Sequence, residues 1–304
     1  MSWINWKGIK QVFKDSATGF GNHKLTKLSG SLAYSTVFSM APLLIVIISL
    51  CSIFLGKEAV EGKVYEQLAG FIGSDTAVQL QQIIKNATVN GKSNIAVVIG
   101  FVTLLIGSTA VFSEIQDSIN TIWGVKPKPK KGWLKILKNR FLSFSIIVAL
   151  VFLLLVSLAV SSVIDVFGNH LKHNFPNLTV VTLYIINNII TLCITTLIFA
   201  VIFKVLPDAI IKWKDIFIGA LCTALFFMLG KFAISLYISQ TKIGTTYGAA
   251  GSLVILLVWI YYSSLILFVG AEITKAYALI FGSSIYPKHY AVATKTVELE
   301  SPTG

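Results

Sequence analysis

Lys231, the acids Glu114, Asp117 and Glu272, and the amide Asn120 stand in or beside long apolar runs, and each is a residue type that can bind or move charge. An ionisable side chain at the centre of a bilayer costs about 2.5 to 3.5 kcal/mol, so such residues turn toward a partner or a water-filled cavity. Glu114 and Asp117 are three apart, as are Asp117 and Asn120, which puts them on one helical face. Two carboxylates there could bind a cation, carry a proton or hold a basic group. They could equally sit at the interface and pair with the lysines that begin at Lys126. Glu272 falls on the same side of the membrane in the topology below, so the three acids could line one inner vestibule, unless Glu272 simply pairs with Lys275 or Lys204. Lys231 is the deepest charge, about eight residues or roughly 12 Å from the outer end of its span. Snorkelling covers only part of that distance, so its ammonium is expected to face the bundle interior, with a carboxylate, phosphate or carbonyl as partner. Trp259, Tyr261 and Tyr262 are too deep for an interfacial belt, and the two hydroxyls are expected to find partners inside the bundle, either structurally or along a substrate path.

Positioning these groups requires long helices. Of 304 residues, 55% are hydrophobic and 12% charged, about half the charged fraction of an ordinary soluble domain. A span needs roughly 20 apolar residues, and six segments meet that length, at about 29–56, 94–122, 138–166, 178–206, 213–239 and 248–280. The first begins too late and runs too long for a cleavable signal peptide and reads as a retained span. The fold expected is all-α, a polytopic membrane protein of about six transmembrane helices. Residues 1–28 form a separate cytoplasmic segment, in which Trp6, Ile9 and Phe13 share a helical face and the lysines face lipid head groups. Residues 29–281 form the transmembrane domain, with an outer helical hairpin over about 57–93, and residues 282–304, which contain Pro287 and Pro302, form a disordered cytoplasmic tail.

Pro42 falls within the first span and predicts a kink or hinge there. Gly219, Ala220, Thr223 and Ala224 in the fifth span, with Gly248 and Gly251 before the sixth, have the small-residue spacing that lets helices approach closely.

The net charge of +12 is concentrated between apolar runs. Residues 1–28 carry five lysines, residues 123–140 carry seven cationic residues and residues 204–214 carry three, while the alternate loops carry fewer or balance them with acids. This bias places both termini in the cytoplasm and sets the basic loops against anionic head groups. Nucleic acid is not expected as a partner. A lipid or small-molecule substrate, or further copies of the chain, remain open.

Cys51, Cys193 and Cys222 are far apart in apolar runs and read as small core residues. His23, His170, His173 and His289 lie in different loops or tails. No zinc-protease helix, phosphate-binding loop, serine elbow or dinucleotide fingerprint occurs, so no catalytic residue, metal or cofactor is expected.

Four stretches resemble one family. "SGSLAYSTVFSMAPLLIVII" (29–48), "EIQDSINTIWGV" (114–125), "LGKFAISLYIS" (229–239) and the segment from "YGAAGSLVILLVWIYYS" to "GAEITKAYA" (247–278) are similar, in order, to the YihY/virulence factor BrkB family of bacterial inner-membrane proteins. The resemblance runs over about residues 5–280 and implies six spans and an inner-membrane location. It carries over no catalytic residues, and the family's old label, ribonuclease BN, is regarded as misassigned. The reading that follows is a non-enzymatic secondary transporter, exporter or lipid-handling protein for an amphipathic or anionic substrate. The alternative is a structural or partner-binding envelope protein.

Overall fold

The computed structural model describes residues 5–39, 110–128, 176–240 and 251–294, with a few isolated positions between 62 and 81. Helix α1 (Trp6–Asn22) starts where Asn5, in an extended conformation, accepts a hydrogen bond from Gly8 N through its side chain at 2.7 Å. It stops at His23 and at Lys24, whose φ of 51° no helix continues, and α2 begins at once over 25–39. Helix α3 covers 110–123 and ends at Gly124, with φ of 65°, before β1 (Val125–Pro127). Then follow α4 (Pro176–Val205), β2 (Ala209–Ile210), α5 (Trp213–Gln240), α6 (Gly251–Ile280), β3 (Tyr286–Pro287) and β4 (Ala291–Ala293).

Among the described residues, three helices carry stretches long and apolar enough to cross a membrane: Asn188–Val205, Trp213–Ile234 and Leu253–Ile280. Of the six spans expected from the sequence, these are the fourth to sixth. The described parts of the first and second, 29–39 and 110–122, are helical, and the third lies outside the described residues. The expected outer hairpin also lies outside them, apart from isolated helical positions such as Tyr65 and Val78.

The spans are apolar all round, which suits helices that face neighbours on one side and lipid on the other. Inward, Leu25, Ile119, Ile122, Phe203, Ile216 and Phe268 bring α2 through α6 into one buried cluster. Outward, Phe217, Leu221, Leu225, Leu229, Phe232 and Leu236 leave an exposed apolar face along α5. A smaller cluster of Val12, Ile273 and Ala276, with Phe281 against it, seats α1 on the end of α6.

Helices α5 and α6 meet through a reciprocal lock. Thr223 donates to Gly219 O and Thr274 to Gly270 O, each at 2.7 Å. A side chain added at Gly219 would overlap the Thr274 hydroxyl, and one added at Gly270 would overlap that of Thr223. Each glycine thus receives the other helix's threonine.

The segment after α6 departs from the disordered tail expected over 282–304. Strand β4 pairs antiparallel with β1, Val125 opposite Ala293, and β3 pairs with β2, Ala209 opposite Pro287. The bonds Lys128 N to Tyr290 O (2.8 Å) and Lys288 N to Asp208 O (2.9 Å) extend these ladders. Residues beyond 294 lie outside the described ones. Pro287, one of the prolines that suggested disorder, is tolerated because its strand is short and at an edge.

Candidate functional site

Three buried carboxylates gather at the end of the bundle where α3, α4 and α6 finish. Glu272, only 3% exposed, follows the tight Gly270 contact on α6. Its Oε1 meets His23 Nδ1 in the turn after α1. Gly19 makes that approach possible, since a Cβ there would stand 2.5 to 2.8 Å from the Glu272 carboxyl atoms. Around it, Lys275 Nζ donates to Ile122 O at 2.6 Å and Trp123 Nε1 to Ala271 O at 3.0 Å. These two bonds satisfy carbonyls of α3 and α6 and hold the two helices together. A cleft of about 290 Å³ opens between α1 and α6, with Asp15, Thr18 and Asn22 on one wall and Glu272, Lys275 and Leu279 on the other.

Asp208 is the second carboxylate, 5% exposed in the loop between α4 and α5. It accepts from Gln116 Nε2 at 3.1 Å and from Asn120 Nδ2 at 2.9 Å, while its own N–H donates to Asn120 Oδ1 at 2.8 Å. The Tyr290 hydroxyl also hydrogen-bonds to it, and burial first, then the Asp208 charge and this bond, push the Tyr290 phenol up to about 12. Several donors converge on one buried carboxylate, the arrangement in which a polar network becomes specific. The third, Asp215, sits in the first turn of α5 and accepts from Ser283 N at 3.1 Å and Ser283 Oγ at 2.9 Å. It sits at a helix N-terminus, where a carboxylate is favoured.

The residues singled out in the sequence are distributed over this end and the spans. Asn120 is buried against Asp208, and Asp117 lies near enough to both Glu114 and Asp208 for its charge to be repelled by theirs. Glu272 meets His23 in the turn after α1 instead, so the structure brings Asp117 and Asn120 to Asp208, with Glu114 near Asp117, and gives Glu272 a different partner. Lys231 is exposed on α5, between the exposed Leu229 and Phe232. Tyr262 lays its hydroxyl against Gly230, where a side chain would overlap it, and Tyr261 packs on the core cluster. Gly219, Ala220, Thr223 and Ala224 are buried, and Gly251 begins α6. Pro42 and Gly248 lie outside the described residues.

Sequence reasoning missed Asp208, Asp215 and His23 as members of a site. Asp208 and Asp215 sit in or beside a loop with Lys204, Lys212 and Lys214, where an acid reads as solvated charge balance. The signal was Leu206-Pro207-Asp208, a proline-acid turn between two spans.

Among the described residues no group of His, Cys, Asp and Glu is placed to hold a metal. The model of the virulence factor BrkB family matches residues 16–285, most of the chain. The chain belongs to the BrkB family. Among similar proteins, a UPF0761 membrane protein of Haemophilus influenzae is 28% identical to this BrkB-family chain over 258 residues, covering 84% of it and 91% of the relative. One from Psychromonas ingrahamii is 30% identical over 256 residues, covering 81% and 80%. Another, from Aggregatibacter aphrophilus, is 28% identical over 280 residues, covering 90% and 94%. No solved structure matches. This BrkB-family chain is thus a bacterial integral membrane protein, and among the described residues three buried carboxylates gather at one end of its apolar helices.

Proposed function

We propose that this protein is a non-enzymatic secondary transporter or lipid-handling protein of the bacterial inner membrane, with both termini in the cytoplasm, which takes an amphipathic substrate from the cytoplasmic interface. The observation that carries the reading is the Glu272–His23 pair on the wall of the cleft between α1 and α6. A carboxylate is costly to bury, and one retained against a histidine on the wall of a cleft is placed to meet a ligand that enters there. Helix α1 supports the interfacial location. Trp6 is 71% and Phe13 56% exposed, and Lys7, Lys10 and Lys14 are exposed on the same helix, a composition suited to anionic head groups. An anionic substrate rested on Lys231 facing inward. With Lys231 exposed beside Leu229 and Phe232, and absent from the cleft wall, the amphipathic half of that reading carries more support.

The test is flux in proteoliposomes loaded with a fluorescent amphipath. Flux above protein-free vesicles that falls in Glu272→Gln, with the variant still monodisperse and cooperatively melting, supports the proposal; flux equal to empty vesicles overturns it. One observation favours a second reading, a structural envelope component. Asp208, through both carboxylate oxygens, and Asp215, through Oδ2, hydrogen-bond to groups of this chain, as in a scaffold whose polar residues serve its own assembly. A stoichiometric protein partner retained on gentle purification, with no flux, favours that reading.

A further inference from the structure

The cleft between α1 and α6 has a chemistry that narrows what it holds. Asp15, Thr18 and Asn22 recur at three and four residues on α1, and Glu272, Ala276 and Leu279 recur at four and three on α6, so each wall is one helical face. Charge on the walls is uneven. Lys275, on the wall, donates to Ile122 O at 2.6 Å, and His23 Nδ1 is engaged with Glu272. Asp15 Oδ1 accepts from Gln11 Nε2 at 2.6 Å, and the Asp15 side chain is otherwise exposed at the mouth. The Thr18 hydroxyl donates to Lys14 O at 3.0 Å, which leaves its oxygen as an acceptor. With Lys275 and His23 already engaged, the cleft presents acceptors on Asp15, Thr18 and Glu272 beside the Asn22 amide, with Leu279, 56% exposed, as an apolar shoulder on the same rim.

We infer that this cleft binds a primary ammonium group carried by an amphipathic molecule, the ammonium lodging between Asp15 and Glu272 and the apolar part lying along Leu279. A primary ammonium presents three donors, which suits an acceptor-lined wall. A quaternary ammonium presents none and is recognised by cages of Trp, Tyr and Phe, and among the described residues that line the cleft there is no Trp, Tyr or Phe. The inference rests on the substrate reading above and names its class. The same chemistry comes from two sources, an ethanolamine-bearing lipid head group or a free amphipathic amine.

The full chain in nanodiscs of mixed phosphatidylethanolamine, phosphatidylcholine and phosphatidylglycerol, released and weighed by native mass spectrometry, tests it. Ethanolamine lipid should be retained over the choline and glycerol lipids, and Asp15→Asn should cut that preference about tenfold, the loss of one charge-assisted hydrogen bond. Leu279→Trp, which fills the cleft from an exposed position, should abolish it without touching Glu272. A second arm adds dodecylamine to protein in discs lacking ethanolamine lipid; a mass adduct that Leu279→Trp removes supports a free amine as the source. Equal retention of all three lipids with no amine adduct, or a preference unchanged in both variants, overturns the site. Flux measured on the same preparations separates the outcomes: flux without amine preference removes the amine site and leaves transport standing.

Discussion

Asp208 concentrates more polar contacts than any acid discussed in the sequence reading, and its removal has a calculable cost. Asp208→Ala leaves Gln116, Asn120 and Tyr290 without their common acceptor. Each buried donor left unsatisfied costs about 1 to 3 kcal/mol, so the variant should melt well below wild type in detergent, and Asp208→Asn, which keeps some of the acceptors, should fall between. Tyr290 reads out the same network through pH. Its ionisation is raised from the usual 10.0 to about 12, so folding favours the neutral phenol; the stabilisation is whole below pH 10 and is lost as pH climbs from there to 12. Wild type should therefore lose melting temperature over that window more steeply than Tyr290→Phe, in which no phenol is present to ionise. Parallel curves for the two proteins would remove Tyr290 from the account. At this scale the sequence was only partly legible. Asn120 and Glu272 stood out because polar groups in apolar runs are expensive, whereas Asp208 was hidden by lysines around it that make any acid look solvated.

The pairing of α5 with α6 follows from four small positions. Half of it could be read in advance, since Gly219 and Thr223 have the spacing of a packing motif. The matching Gly270 and Thr274 were obscured because attention went to the small residues before the sixth span, and spacing on one helix says nothing of which residues face it on another. Gly219→Ala places a methyl on the Thr274 hydroxyl and should destabilise by about 1 to 3 kcal/mol, the cost of overpacking a filled interface. Adding Thr274→Ala should recover part of this, and a double-mutant cycle on melting in detergent would show the coupling. Two independent, additive losses would mean that these side chains do not meet. The strands were illegible for a different reason. Segments of two or three residues have no periodicity to detect, and their partners lie far away in the chain.

Across the whole molecule, composition and lysine distribution were enough to place a bundle in a membrane, because a bilayer admits so few backbone solutions. Rotation of each span was beyond them, which is why Lys231 was expected inside and is found exposed. The lysine bias also makes a claim about sidedness. A reporter active only in the cytoplasm, fused after Gly304, should be active, and one active only outside should be silent. The opposite result would put the α1–α6 cleft on the outer face and reverse the direction of the proposed uptake. The pairing of β1 with β4 bears on how such a molecule is made. Val125 cannot meet Ala293 until residue 293 has been synthesised, so this strand pair closes over the helix ends only after the described helices have been made. A nascent chain that stops short of that strand has every described helix but lacks the β1–β4 pair, and its helix ends are held only by bonds such as Trp123 to Ala271 O and Lys275 to Ile122 O.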